Sequence, residues 1–479
     1  MKNHPLSKKI GLFLGPLCFI VLFFLPLSFV SEKGSLVIAV ALWMICWWIT
    51  EAVSISVTAL LPLMLFPMLK IMPIQDVGAN YGSPIVFLFF GGFVLALALE
   101  KVNLHKRIAL NIIKKTGTTP NKVILGFMIA TAFMSMWISN TASTVVMLPI
   151  AMSVINLLIN DEDGFTKKDQ NFALCTMLGI AFSANAGGIA TVIGTPPNSV
   201  LIGLLENEYN IEISFFKWML VGLPCSIILI AIIYFILVKW MFPNKGLKFS
   251  ASKSVIDQEL KKLGKTTAKE KHVIITFSVI VCLWIFRSLI NSLFPQLGLT
   301  DTIISVAGAI ALFTIPFNLK TGDFILKWSD TQKLSWGILI LFGGGLALAK
   351  SMSSSGIVDT VANGIASSNI SVLLTASLLI ILMLFMTELM SNVALVAVLA
   401  PVVAGIALGL EIPILYLLIP VTIASSCAFM LPMATPPNAI VFASGYIKVH
   451  QMAKVGIIIN IISIVLLILM FKFFIPIVF

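Results

Sequence analysis

The chain reads as an all-α polytopic membrane protein built from two related halves, and three observations predict it. Of its 479 residues, 59% are hydrophobic and only 11% are charged, with a mean hydropathy of +1.06. That balance is found where the solvent is lipid. Mostly apolar runs of about 17 or more residues, long enough to cross a bilayer as helices, recur from end to end. Three short motifs also appear twice, in the same order.

The first apolar run, 10–30, follows MKNHPLSKK. It is long for the core of a secretory signal, and no small-x-small cleavage site follows it, so it reads as a retained first helix. Further runs occupy 35–50, 216–238, 272–290 and 455–477 and leave little room for a soluble domain. Basic residues gather at Lys2, Lys8 and Lys9, at Lys101, Lys106, Arg107, Lys114, Lys115 and Lys122, and in the polar insert at 244–272. The formal charge of +11 therefore lies in short loops beside apolar runs, where it sets orientation and does not make a nucleic-acid surface. Those segments, and the amino terminus with them, are expected in the cytoplasm, the protein being multi-pass in an inner (plasma) membrane. LLENEYNIEISFF at 204–216, with three Glu and no base, reads as an external loop, and the carboxy terminus is expected outside.

Cys18, Cys46, Cys175, Cys225, Cys282 and Cys427 lie in apolar stretches without metal-ligand spacing, which implies neither a disulfide framework nor a zinc site. His4, His105, His272 and His450 fall in loops or at helix ends. No catalytic cluster is assembled, and an enzyme is not expected. A channel wants a continuous polar path, whereas polarity here concentrates in two matched patches.

Those patches are the repeats. FLFFGGFVLALALE at 87–100 returns as LILFGGGLALAK at 339–350, SNTAST at 139 as SNVALV at 391, and GTPPNSV at 194 as ATPPNAI at 434. Gly91 to Gly343 and Ser139 to Ser391 are both 252 residues apart, and Thr195 to Thr435 is 240. The chain divides into a first half, 1–243, a basic cytoplasmic linker, 244–272, and a second half, 273–479. Repeats of opposite topology that enclose one midplane site are a common plan among secondary transporters.

Polar groups at membrane depth are tolerated only where they face protein, water or a ligand, so Asn140 and Asn392 are candidates for a site. Apolar runs of about 17 residues flank each SN pair, which suits a re-entrant hairpin with the motif at its tip. Such a tip exposes the N–H groups of a half-helix. In GTPPN and ATPPN the paired prolines, Pro196 with Pro197 and Pro436 with Pro437, lack N–H groups and push the preceding residue out of helical geometry. A helix must break there, which frees the carbonyls of Gly194 and Ala434 for a cation and aims Thr195 and Thr435 inward. Asn198 and Asn438 either cap the resuming half-helix or stabilise the break. Gly91, Gly92 and Gly343 to Gly345 read as close-packing surfaces. Glu51 in WWITEA and Glu388 in TELMSN read as buried acids near a broken region, serving as cation ligands, as a proton relay or as structural hydrogen-bond acceptors.

WWITEA, LHKRIAL, SMWISNTAS, GGIATVIGTPPN, FMTELMSN and FMLPMATPPNAIVFASGY resemble the signatures of the divalent anion:sodium symporters, a family of dicarboxylate, citrate and sulfate carriers. The resemblance covers nearly the whole chain. It implies a homodimer in the lipid bilayer, each protomer with about 11 transmembrane helices, two opposed re-entrant hairpins and inverted repeats, and a transport domain moving against a scaffold domain. It implies two sodium sites, one at Ser135, Ser139, Asn140 and the Gly194 carbonyl, the other at Thr387, Asn392 and the carbonyls of Met390 and Ala434. Substrate carboxylates are then expected between the tips, at Asn140, Thr141, Thr195, Asn392 and Thr435, with Pro196, Pro436 and Val393 beside them. The second copy departs from the first in carrying Val393 where Thr141 stands, which removes one donor and makes the site asymmetric. The implied function is sodium-coupled uptake of a small divalent anion, foremost a C4-dicarboxylate such as succinate, fumarate or malate, by an elevator-type mechanism. A sodium-independent dicarboxylate exchanger, or a citrate or sulfate carrier, is the alternative on the same fold.

Overall fold

The computed structural model describes residues 6–117, 119–159, 166–244, 252–318, 322–367 and 370–479. Lys2, His4 and residues 245–251 of the basic linker lie outside the described residues. Among those described, the regular structure is helical except for one short antiparallel pair, Pro316–Asn318 with Asp323–Phe324. Eight helices are long and apolar enough to cross a membrane, among them Ser7–Phe24, Glu32–Thr50, Phe215–Met241, Ala268–Leu293 and Val449–Val478. These five contain or largely overlap the apolar runs read from the sequence.

Local chemistry explains where the helices begin. Ser31 accepts from the Gly34 N–H, Thr166 forms a capping box with Asp169, and Thr267 forms one with Glu270, each satisfying N–H groups that a first helical turn leaves unpaired. Pro84, Pro120, Pro196 and Pro436 occupy first helical positions, where a missing N–H costs nothing. Outward-facing apolar side chains such as Phe13 and Phe24, both more than 70% exposed, suit a hydrocarbon surround.

Each half contains a helical hairpin followed by a broken helix. The first hairpin is Pro120–Ser135 with Asn140–Ile159, and the first broken helix is Lys167–Gly188 with Pro196–Tyr209. The second hairpin is Val372–Thr387 with Asn392–Gly409, and the second broken helix is Ile414–Ser425 with Pro436–Phe442. The copies interleave: Pro436–Phe442 packs on Asn140–Ile159 and Lys167–Gly188, while Pro196–Tyr209 packs on Asn392–Gly409 and Ile414–Ser425. Each resumed half-helix therefore leans on the other copy's hairpin.

Around this core, Pro84–Lys101 packs on Asp301–Thr314, and Trp336–Ser354 packs on Ile74–Tyr81 as well as on the second hairpin. The repeated glycines make those contacts close. A Cβ on Gly91 would lie 2.7 Å from the Ser305 carbonyl oxygen, and one on Gly344 would lie 2.3 Å from that of Ala59. Both distances are shorter than any side chain tolerates, so here the glycines are packing surfaces.

Two expectations are corrected. Glu51 is not buried: it terminates Glu32–Thr50 in a left-handed conformation, its side chain is largely exposed, and it pairs with Lys8 at 3.4 Å. It stands where the spanning helix has already ended. The stretch 204–216 is not a loop throughout, because Pro196–Tyr209 runs through its first residues and Phe215 opens the next helix. Only about an interior turn's worth of chain connects them, and Glu212 within it pairs with Arg287 at 2.8 Å.

Candidate functional site

The site is built where the polar tips meet the double-proline breaks. Ser139 precedes the helix that starts at Asn140, and its Oγ accepts from the Ala142 N–H at 3.1 Å. Ser391 does the same for the helix starting at Asn392, accepting from Ala394 N–H. Ser139 is exposed, and Asn140, Thr141, Asn392 and Val393 are half-buried, so each tip is reachable from outside the core. Met390 sits in the turn just before the second tip, its N–H bonded to the Met386 carbonyl.

A more specific pattern lies one turn back. Ser135 Oγ contacts both Asn140 Oδ1 and the Ala184 carbonyl oxygen, the latter at 2.7 Å. In the second copy Thr387 Oγ1 contacts Asn392 Oδ1 at 2.7 Å and the Ser425 carbonyl oxygen at 2.6 Å. A hydroxyl has one proton and cannot serve two acceptors, so each cluster holds an oxygen pair without a hydrogen between its members. Two arrangements relieve such a contact: rotation of the amide, or a cation among the oxygens.

Gly188 marks where the oxygens of the first copy converge. A Cβ built on it would lie 2.6 Å from Asn140 Oδ1 and 3.2 Å from the Gly194 carbonyl oxygen. Any residue larger than glycine would fill that space. The oxygens that meet at each tip belong to a hydroxyl, an amide and a backbone carbonyl, so a cation among them would meet neutral groups. Unwound carbonyls and hydroxyls of this kind hold Na⁺ in broken-helix carriers.

The breaks are held open by side chains. Asn198 Nδ2 donates to the Thr191 carbonyl at 2.8 Å and faces those of Gly188 and Ile189 at 3.3 and 3.4 Å with its second proton, and Asn438 Nδ2 donates to those of Ala428 and Leu431 at 3.1 and 3.0 Å. Of the two roles read for these asparagines, tying the break together is the one the bonds perform. Thr191 Oγ1 donates to the Met136 carbonyl at 2.6 Å and fastens the first break to the first hairpin. Thr195 and Thr435 are both buried; Pro196 is half-buried, Pro436 exposed and Ala434 half-buried.

Glu388 is buried, and it accepts from the N–H groups of Phe429, Met430 and Leu431 at 2.8, 2.9 and 3.1 Å and from Asn460 Nδ2 at 2.8 Å. Of its sequence-level readings, the structural acceptor is the one these bonds describe. Asn185 went unnoticed in the sequence, because it has no repeated counterpart; it reaches from the first broken helix into the second. A lone Asn inside the apolar run of AFSANAGG was the available signal.

Residues 7–479 match the family profile described as the sodium:sulfate symporter transmembrane region. The chain is 39% identical over 482 residues to a sodium-dependent dicarboxylate transporter, SdcS, of Staphylococcus saprophyticus, spanning 99% of this chain and 93% of that one. It is 40% identical over 486 residues to the protein of the same name in Staphylococcus aureus strain USA300, spanning 100% and 93%. Among solved structures, the YdaH transporter of Alcanivorax borkumensis superposes with a TM-score of 0.60 at 14% identity, over 86% of this chain and 90% of that one. MtrF of Neisseria gonorrhoeae superposes with a TM-score of 0.58 at 12% identity, over 99% and 96%. At those identities the likeness speaks for the fold alone, that of an α-helical polytopic membrane protein.

Proposed function

The chain belongs to the sodium:sulfate symporter family, the divalent anion:sodium symporters, and from that premise we propose that it carries a C4-dicarboxylate inward coupled to sodium. The observation that carries the reading is the duplicated oxygen cluster, Ser135 with Asn140 and Thr387 with Asn392. Relatives matched over nearly their full length are named as sodium-dependent dicarboxylate transporters, which supports the choice of substrate class.

In this reading one sodium ion lies among Ser135, Ser139, Asn140 and the Gly194 carbonyl, and a second among Thr387, Asn392 and the carbonyls of Met390 and Ala434. Both neutralise the site before the anion arrives. The dicarboxylate lies between the tips, against Asn140, Thr141, Thr195, Asn392 and Thr435, with Pro196, Val393 and Pro436 forming its walls. None of these side chains is charged. Anion affinity then depends on the sodium ions, on neutral donors and on the N-termini of Asn140–Ile159, Pro196–Tyr209 and Asn392–Gly409. That dependence couples the two solutes, since a ligand shifts an equilibrium only through its differential affinity.

Alternating access by an elevator movement of the hairpins and broken helices, a homodimeric assembly, a cytoplasmic amino terminus and an external carboxy terminus complete the proposal. The test is uptake of labelled succinate, malate, citrate and sulfate into proteoliposomes, with an inward gradient of sodium or of choline. Concentrative uptake of the C4-dicarboxylates with sodium alone is the expected result. Equal rates in choline, with uptake requiring internal dicarboxylate, would identify a sodium-independent exchanger instead.

A further inference from the structure

Asn185 lies in the last turn of Lys167–Gly188 and is 1% exposed. Its Nδ2 is 3.3 Å from the Ala428 carbonyl oxygen and 3.1 Å from Thr435 Oγ1. A backbone carbonyl only accepts, so the amide atom facing Ala428 must be the NH₂ group; the reverse orientation would set two acceptors against each other. With the amide so fixed, the contact to Thr435 is also a donation, and Thr435 Oγ1 accepts it.

Thr435 Oγ1 accepts a second time, from the Asn438 N–H at 3.4 Å, where it caps the resuming half-helix. A hydroxyl has two acceptor positions and one proton. Both acceptor positions are taken, and only the proton remains. Among the described residues no acceptor receives it.

The first copy is built differently. Ser135 meets the Ala184 carbonyl as Thr387 meets that of Ser425, so by these contacts the counterpart of Asn185 is Ser426, whose buried Oγ has no partner among the described residues. Thr195 makes no capping hydrogen bond, and its hydroxyl stays free to turn. Asn185 itself keeps a buried Oδ1 without a donor among the described residues. The Oδ1 atoms of Asn198 and Asn438, which tie the breaks, are left in the same state, so what sets Asn185 apart is its donation across the repeats to the Thr435 hydroxyl.

We infer that Asn185 is a positioning residue for substrate recognition: by filling the last acceptor position of Thr435 from the opposite repeat, it makes that hydroxyl a donor only, aimed at a substrate carboxylate. The inference rests on the proposed placement of Thr435 in the anion site. It also makes the two copies unequal: one carboxylate meets a fixed donor at Thr435, the other an adaptable hydroxyl at Thr195.

The experiment is a double-mutant cycle in proteoliposomes: wild type, Asn185→Ala, Thr435→Val and the double variant. KM for succinate, maximal rate and half-saturating sodium are measured for each. Asn185→Ala is expected to raise KM roughly five- to twentyfold, the scale of one lost donor, with half-saturating sodium and maximal rate changed less than about twofold. Thr435→Val is expected to raise KM about tenfold or more, and adding Asn185→Ala to it to change KM no further, because there is no hydroxyl left to orient. Effects that multiply in the double variant would overturn the inference, since a residue that merely stabilises the fold acts whether or not the hydroxyl is present. Equal weakening of sodium and succinate would do so too. An unchanged KM in Thr435→Val alone would instead remove Thr435 from the site and take the inference with it. Should Asn185→Ala fail to fold, Asn185→Ser, which carries the residue of the other copy, is tested by the shift in Tm that succinate produces in sodium. A shift equal to that of wild type would overturn the inference, and a reduced one supports it.

Discussion

Asn140 and Asn392 each face a hydroxyl that already has a carbonyl to serve, Ala184 for Ser135 and Ser425 for Thr387. With the amide oxygen in that position the cluster offers oxygens and no proton between them, which suits the sodium ion proposed above. Asn140→Ala or Asn392→Ala should therefore reduce sodium-driven uptake by more than about tenfold, the scale of 1.4 kcal/mol or more of lost binding. Folding should survive, because the caps that start these helices come from Ser139 and Ser391. Uptake against sodium concentration, with thermal unfolding as the control, checks this. Retention of near-normal sodium-dependent uptake by either variant would remove these residues from the cation sites.

At the level of elements, hairpins and breaks were legible because their punctuation is chemical and repeated: prolines that cannot continue a helix and a polar pair where lipid would leave it unsatisfied. Burial and distant partners were not legible. The exposure of Glu51 depends on where Glu32–Thr50 ends, and in the acidic stretch at 204–216 a helix that runs on into charged residues leaves no signature of its end. Asn185 escaped because a repeat comparison is blind to what one copy alone possesses. The partners of Glu388 lie 41 to 72 residues away, beyond any local pattern. They expose a second asymmetry. In the first break Ile189 and Ala190 N–H groups bond to the carbonyls of Ala186 and Gly187 just behind them, and the position matching Glu388 is Met136. In the second break the helix stops sooner, and the carboxylate of Glu388 takes three N–H groups instead. Glu388→Gln replaces one carboxylate oxygen by a donor facing N–H groups, which should lower stability by about 1.5–3 kcal/mol and weaken apparent sodium affinity through the displaced Ala434 carbonyl. Thermal unfolding and half-saturating sodium measure the two effects. Wild-type values for both, together with a lost dependence of uptake on external pH, would instead assign Glu388 to a proton path.

On the scale of the whole molecule the interleaving of the repeats makes a mechanical statement. Each resumed half-helix packs on the hairpin of the other copy, so neither hairpin moves far alone without breaking contacts that belong to the other site. In the elevator movement proposed above, the moving unit would be the pair of hairpins with the pair of broken helices, and it would move against the surrounding set that includes Pro84–Lys101. Gly92 of that helix faces Ile193 in the first break, next to the Gly194 carbonyl, and a Cβ on Gly92 would lie 3.6 Å from the Ile193 Cβ. That separation falls within the range of about 3.5–4.5 Å that a disulfide spans. Gly92→Cys with Ile193→Cys, in a background whose six native cysteines are replaced, should therefore cross-link on oxidation in the conformation seen here. If transport requires the core to slide past Pro84–Lys101, the oxidised protein should lose more than about nine-tenths of its uptake and recover it on reduction, because a movement of several ångströms cannot be absorbed by one disulfide. Gly337→Cys with Ser56→Cys is the matched control: there a Cβ on Gly337 would lie 3.4 Å from the Ser56 Cβ, and both residues sit outside the core. Its cross-link should leave uptake intact. Full activity of the oxidised Gly92–Ile193 pair would mean that the first break stays fixed against Pro84–Lys101 throughout the cycle. Access would then have to alternate by gating at the hairpin tips, with the core at rest.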